Sequence, residues 1–518
     1  MNREQQIARA QTEQFDICII GGGITGSGIA HHAVANGYKV LLLEREDFAY
    51  GTSSRSSKMI HGGLRYLKNF QLQLVHEALL ERGHLLEMYP HLVKPIPYVL
   101  PSYGSKINLW VKNIGLSLYD ALAGKSVIPP HRLLSAKEVL QHLPGLNAAN
   151  LAGGIIYWDA STNDAKLVLE VISTVAQQSA VVLNYCGVVG FNRQEDSIQA
   201  IRCKDFVSGE IFEAKATVYV NAAGVWTDEV LGMLSASDTS VMKPSKGVHV
   251  VVATSKMPKD TVAIVASANG DGRLLYNLPW ENNLTILGTT DTDFLHPPDT
   301  VNATQKDVDY ILQSFNKSFP SAHLSYSDII AVYAGLRPML ADEKSSNSYG
   351  RSREYKIWWN ATNMLNIAGG KLTSFLSMGA HCLAIAKEKL NSPAKFEIPV
   401  VHSTATVWSL QYGKQGCFID AIIQEDKTAA HKISDAYSYS VAEIIFFIRH
   451  QFAVTLDDIL TRRTHITYAM KMWDETMVQT IAKIMAKELG KDNAWIHLQI
   501  SNYRSRWQQY HPDFTYPN

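Results

Sequence analysis

An α/β fold that carries an inserted antiparallel sheet and a C-terminal all-helical domain is predicted by three features of this chain. Residues 15–44 run strand, glycine-rich turn, helix, second strand and terminal acid. Residues 241–335 alternate apolar and polar positions with period two, the signature of a half-buried sheet. Beyond Pro399 the chain becomes polar and helically spaced.

The opening unit sets the frame. Ile17, Cys18, Ile19 and Ile20 form an apolar run that stops at Gly21, as a central strand of a parallel sheet would. Gly21, Gly23 and Gly26 fit G-x-G-x-x-G. The first glycine permits the tight turn, the second lets backbone approach a pyrophosphate, and the third lets helix and strand pack closely. Ile24 and Thr25 open a helix whose N–H groups and positive dipole end point at the phosphates. Val40 to Leu43 form the second strand, and Glu44 at its end is placed to accept hydrogen bonds from ribose hydroxyls. Together these elements predict a Rossmann-type dinucleotide site.

Thr52, Ser53, Ser54, Ser56 and Ser57 follow as a hydroxyl-rich loop, then His61-Gly62-Gly63. Directly after the ribose strand, this stretch predicts a second cradle, with hydroxyls for pyrophosphate and adjacent glycines for a flat ring. A helix is predicted over 71–88, and Pro90, Pro95, Pro97 and Pro101 impose extended structure after it. Residues 107–124 are apolar with few charges; they predict a core helix, with an amphipathic helix on a membrane surface as the alternative. The nucleotide-binding pattern returns over 151–230 and ends in Ala223, Gly224 and Trp226, a strand end suited to close ligand approach. It resumes at 364–390, where a strand meets Gly369-Gly370 and a helix is expected near Lys371 to Thr373.

Composition excludes several classes. Lys plus Arg and Asp plus Glu are 48 each in 518 residues, so no global field argues for nucleic acid. Local cations must therefore select any anionic substrate. Five widely spaced cysteines without a C-x-x-C give no disulfide framework or zinc site. The polar N-terminus lacks the apolar core of a signal peptide, and no apolar run is long enough to span a bilayer.

FAD suits this layout better than NAD. Glycine-bearing strand ends at Gly62-Gly63, Gly224 and Gly369-Gly370 are spread across the chain and together wrap a buried cofactor. A cation at a helix start, Lys371, is electrostatically disfavoured unless it faces a ligand, where it would stabilise negative charge on a reduced flavin. Arg65, Arg337, Arg353 and Lys371 are candidate anion-binding groups, since guanidinium groups bind phosphate in bidentate fashion. His249 alternates with apolar residues in KGVHVVV; it is either a structural histidine or a base for a substrate alcohol.

IIGGGITGSGIA (19–30), TSSRSSKMIHGGLRYL (52–67), KGVHVVV (246–252), LGTTDTDF (287–294), YAGLRPML (333–340), IAGGKLTSF (367–375) and TLDDILTRRT (455–464) resemble the FAD-dependent glycerol-3-phosphate dehydrogenases. The match runs in order from about residue 15 to about 470, within the wider D-amino-acid-oxidase-like flavoenzymes. It implies oxidation of sn-glycerol 3-phosphate to dihydroxyacetone phosphate, with hydride passing from C2 to FAD N5 and electrons to a membrane quinone. By resemblance, Arg65, Tyr66, His249, Arg337, Arg353 and Lys371 form the substrate site, with His249, Arg337 and Lys371 catalytic. The FAD contacts it implies are Gly21, Gly23, Ile24, Thr25, Gly26, Glu44, Thr52, Ser53, Ser57, Met59, His61, Gly62, Gly63, Val188, Ala223, Gly224, Trp226, Gly335, Gly370, Lys371, Leu372 and Thr373. The FAD-binding domain is expected over 1–75, 151–235 and 336–395, the substrate domain over 76–150 and 236–335, and the helical domain over 396–518. A cytoplasmic protein peripheral to the inner face of the cell membrane is expected, and a homodimer is compatible with it.

Departures from the family pattern are Gly224-Val225-Trp226 in place of Gly-Pro-Trp, Ser374-Phe375-Leu376 in place of Thr-Tyr-Arg, and Gln451 in place of a glutamate. Competing readings are a glycerol-3-phosphate oxidase that releases peroxide, a non-catalytic flavin-binding protein and an amino-acid oxidase. No inserted segment of the oxidase kind is evident. Retention of Arg65, His249, Arg337 and Lys371 argues for catalysis, and several cations rather than one carboxylate clamp argue against an amino acid as substrate.

Overall fold

The computed structural model describes residues 2–67, 71–124, 128–234, 240–341, 354–392 and 406–514, with the side chains of Arg65, Tyr66 and Lys106 excepted. Two large sheets and a helical unit pack around separate apolar cores.

The first sheet runs Tyr355–Ala361, Met364–Gly369, Ile211–Asn221, Gln14–Ile20, Val40–Leu43, Val181–Leu183. All neighbours are parallel except the first pair. Its central strands are buried on both faces, which explains why they are continuous apolar runs rather than alternating ones. The helix Ile24–Ala35 covers one face, packed against Phe375–Ala386. Gly28 and Gly379 make that crossing possible: a Cβ on Gly379 would lie 2.5 Å from Gly28 backbone atoms. The segment VVLNYCGVVGF forms two strands, Val181–Leu183 and Cys186–Gln194, because Tyr185 at positive φ breaks the run.

The second sheet has ten strands. Ser245–Ala253 pairs with both Leu284–Gly288 and Ile329–Arg337, antiparallel as its period-two pattern predicts. Two of its strands come from segments that the sequence assigns to the nucleotide-binding part. Leu151–Thr162 pairs along its length with Val93–Tyr103, and Met59–Ile60 pairs with Leu151–Thr162. Register pairs run from Tyr103 with Leu151 to Val93 with Thr162, and pairing over such separations leaves no local signal in the sequence, which is why residues 151–162 read as part of the nucleotide-binding segment.

Two further expectations need correction. The helix after Gly369-Gly370 starts at Phe375, so Lys371 sits in the turn before it rather than at its first position. The helix Lys106–Ala123 is not a core helix. It buries Leu116 and Tyr119, while Ile107, Trp110, Val111, Ile114 and Leu118 on the opposite stripe are exposed.

The C-terminal unit is helical apart from a small hairpin, Lys432–Ser434 with Tyr437–Ser440. It is tied to the nucleotide sheet by a buried ion cluster. Asp47 accepts from Arg462 Nε at 2.5 Å and from both terminal nitrogens of Arg463. Burial pushes the Asp47 carboxyl up, but Arg463 and Arg462 outweigh it and hold the group below the usual carboxylate range. Both arginines lie in the π-helical turn Asp458–Arg463, which turns consecutive guanidinium groups onto one carboxylate.

Candidate functional site

A cleft with about 1360 Å³ of empty space opens at the carboxyl ends of the parallel strands, where ligands of open α/β sheets bind. Gly21, Gly23, Ile24 and Thr25 form its floor, and Glu44, Thr52, Ser53, Val188, Ala223, Gly224 and Trp226 line one half. Gly370, Lys371 and Leu372 line the other. A Cβ on Gly21, whose φ is +117°, would fall 2.5 Å from the carbonyl oxygen of Ala222. A Cβ on Gly26 would fall 1.9 Å from that of Gly21. The turn is therefore closed to any other residue, as its fingerprint role requires.

Glu44 has more to do than receive a ribose. Its Oε2 accepts from Gly22 N–H at 2.7 Å and its Oε1 from Glu46 N–H at 2.9 Å. Burial pushes the carboxyl up to about 7 despite these two bonds. Ser53 Oγ accepts from Ile24 N–H at 2.9 Å, and Thr52 Oγ donates to Leu336 O at 2.6 Å. The hydroxyl loop is thus pinned to the first turn of the helix Ile24–Ala35 and to the strand Ile329–Arg337.

The other predicted cofactor residues are not among those that line the cleft. Gly26 packs beneath the turn. Gly62 N–H donates to Asp159, itself held by Arg82 at 2.5 Å, and a Cβ there would strike Leu79 and Tyr119. Gly63 has φ +77°. Met59 lies in the short strand, and His61 N–H donates to Thr373 Oγ at 3.2 Å, joining the two loops. Gly335 lies against Arg55 O, where a Cβ would approach to 2.5 Å.

The second group lies on facing strands. Ser245 pairs with Arg337 and His249 with Tyr333, so period two places Ser245, Gly247 and His249 on one face with Tyr333, Gly335 and Arg337. Arg337 donates to Ser245, Asp291, Thr289 and Thr290 over distances of 3.0–3.3 Å. Its guanidinium lies over Gly247, where a Cβ would be 2.6 Å away.

His249 is 3% exposed. It stacks on Tyr333 with ring centroids 4.7 Å apart, and its Nε2 meets Ser57 Oγ at 2.9 Å. Desolvation, then Arg337 and Lys58, drives its pKa well below the usual value, so the ring is neutral. Ser57 thereby links the loop beside the cleft to the imidazole. Lys58, which follows it at φ 55°, is fully buried against Asp164 at 2.5 Å, and Asp164 also accepts from Ser56 Oγ at 2.7 Å.

Neither Lys58 nor Tyr333 was singled out from sequence. Lys58 at least stands in the SSK stretch; the stacking of Tyr333 has no local signal. Ser56, Pro338 and Lys371 all line the cleft, which brings its rim within one residue of Ser57 and Arg337. Arg353 lies outside the described residues, as do the side chains of Arg65 and Tyr66.

The residues fit a dinucleotide: a closed glycine turn at mid-cleft, a hydrogen-bonded carboxylate on the second strand and glycines at the far strand end. Residues 16–381 match the FAD dependent oxidoreductase family model, and residues 361–495 match the C-terminal domain of alpha-glycerophosphate oxidase. These define the class as an FAD-dependent oxidoreductase of the D-amino-acid-oxidase-like fold, with FAD as cofactor.

Glycerol-3-phosphate dehydrogenase 2 of Mycobacterium tuberculosis is 35% identical, with 96% of this chain and 89% of that one covered. The human mitochondrial glycerol-3-phosphate dehydrogenase is 32% identical over 95% and 73%. The crystal structure of the Bacillus halodurans glycerol-3-phosphate dehydrogenase complexed with FAD superposes with a TM-score of 0.78 at 24% identity, covering 100% and 99% of the two chains. The L-alpha-glycerophosphate oxidase of Mycoplasma pneumoniae gives 0.57 at 18%, covering 75% and 100%. The chain belongs to the glycerol-3-phosphate dehydrogenase family.

Proposed function

We infer that the protein oxidises sn-glycerol 3-phosphate to dihydroxyacetone phosphate and passes the electrons to a membrane quinone. The observation that carries this reading is a neutral, buried imidazole and a guanidinium on paired strands beside a dinucleotide cleft. Bound FAD supplies the two-electron acceptor. The chain's own residues do the rest.

Arg337, paired with Asp291 at 3.3 Å, stands on the strand face that carries His249 and holds an oxyanion of the substrate there. Lys371 lines the cleft and supplies a second positive charge, while Arg65, Tyr66 and Arg353 complete the substrate site by family resemblance. His249, neutral because it is desolvated beside two cations, takes the alcohol proton, and Ser57 fixes the ring through Nε2. The nucleotide sheet forms the FAD domain and the second sheet the substrate domain.

Quinone as acceptor implies a lipid surface. Among the described residues no helix is long and apolar enough to cross a membrane, so contact would be peripheral, at the cytoplasmic face. The outward stripe of Ile107, Trp110, Val111, Ile114 and Leu118 supports that contact. The oxidase reading is favoured only by the family of the C-terminal match.

Anaerobic addition of glycerol 3-phosphate should bleach the flavin, and a quinone analogue should restore its colour faster than oxygen does. Faster recovery with oxygen would make the enzyme an oxidase, and no bleaching would remove the substrate assignment. Arg337→Ala should keep its flavin and lose at least a hundredfold in kcat/KM; unchanged kinetics would take Arg337 out of the site.

A further inference from the structure

A second cavity, with about 620 Å³ of empty space, lies where several parts of the molecule meet. The loop that carries Tyr50 and Arg55, the segment 298–303, the strand Ile329–Arg337 and the end of the helix Asn493–Tyr510 line it. Its chemistry is cationic. Arg55 rests on the ring of Tyr50 with 5.1 Å between guanidinium carbon and ring centroid. Its Nε is buried without a hydrogen-bond partner, and no carboxylate among the described residues pairs with its guanidinium.

The ionisable groups that act on Arg55 are the tyrosines Tyr510, Tyr50 and Tyr468 and a second cation, Arg506. Arg506 also faces the cavity and donates to Tyr50 Oη at 2.7 Å and to Gln509 Oε1 at 3.1 Å. Asp299 at the rim is already engaged by Arg45 and by Trp226 Nε1. Asp457 acts on Arg506 and compensates its charge, whereas Arg55 is buried with no carboxylate partner among the described residues and carries a desolvation cost that a bound anion would offset.

The cavity is separate from the dinucleotide cleft. Tyr50 and Trp226, with ring centroids 6.5 Å apart, stand between the two. A Cβ on Gly51 would lie 2.7 Å from the Trp226 ring, so backbone and indole close that wall. Thr52, Ser53 and Ser56 line the cleft, whereas Arg55 turns to the other side.

We propose that this recess is a binding site for a small phosphate dianion, free or as a phosphate monoester, gripped by Arg55 and Arg506. Such an anion would clamp the C-terminal helix to the cofactor loop. Tyr333, which lines the recess and stacks on His249, places its occupancy one ring away from the imidazole.

The test is calorimetric titration of the FAD-loaded enzyme with inorganic phosphate, with the flavin spectrum followed in parallel. Phosphate should bind a site that perturbs no flavin band, and Arg55→Gln and Arg506→Gln should each weaken that site at least tenfold. Flavin content should be unchanged in both, and Arg55→Lys should recover part of the affinity. Unaltered phosphate binding in both glutamine variants would overturn the proposal. So would loss of flavin from Arg55→Gln, which would give the guanidinium to the cofactor. A single phosphate site abolished by Arg337→Ala would overturn it too, by assigning the anion to the substrate site and leaving the oxidation reading intact. If Arg55→Gln does not fold, Arg506→Gln decides alone.

Discussion

The two ends of the site are made of different material. At the glycine turn, backbone does the work: the walls are peptide atoms, and Gly21 and Gly26 matter because they carry no side chain. At the imidazole end, side chains do the work: Ser57, His249, Tyr333 and Arg337 meet across strands distant in sequence. The first end tolerates almost no substitution but is chemically passive. The second is also closely packed, with Gly247 against Arg337 and Gly288 against His249, but what it presents is side-chain chemistry. We expect binding and chemistry to be separable by mutation.

That contrast can be broken in order of effect. Gly26→Val should abolish flavin binding altogether, because its Cβ would overlap the Gly21 carbonyl. Absorbance of the purified protein near the flavin band checks it, and a yellow variant would end the claim that the turn admits only glycine.

His249→Gln should keep full flavin content and lower kcat by about 10²–10⁴, the usual contribution of a positioned base. Equal losses of flavin and activity would show that the two ends are not separable. In the wild type, an imidazole held well below its ordinary ~6.5 stays neutral across pH 6–8. No acid limb near 6.5 is therefore expected in kcat/KM. The unfolded chain takes up the proton that the folded one refuses, so the His249 contribution to stability is lost as pH falls below about 6.5.

The smallest effect should be at Glu44. Its folded carboxyl lies near 7, raised above the unfolded ~4.3. The stability tied to that proton is present below about 4.3 and is lost as pH rises through 7. Glu44→Gln should flatten this slope in thermal melts of the apoprotein. It should also weaken FAD about tenfold, roughly one hydrogen bond of ~1–1.5 kcal/mol. An unchanged slope would assign the pH dependence elsewhere.

Much of this was legible before the structure. The Gly21 turn, the Glu44 strand end and the Gly369-Gly370 strand end are local patterns, and each sits at the cleft. The antiparallel partners of His249 were legible as period two. Residues 107–124 were not: composition shows that the segment is apolar but not which stripe faces out, and the structure turns Trp110 to solvent. The helix after Gly370 starts at Phe375 rather than near Lys371 to Thr373, and Thr373 accepts from His61 N–H in the turn before it, a contact between distant segments that has no local signal.

By itself the sequence determined the dinucleotide turn, the sheet alternation and the family motifs, since each depends on neighbours within a few residues. Only the tertiary structure decided that Ser57 reaches His249, that Tyr333 stacks on its ring and that Arg55 has no carboxylate partner among the described residues. Those facts depend on which distant strands and helices pack together. Burial then sets the charge: His249 is neutral through desolvation, and desolvation is a property of the packed chain alone.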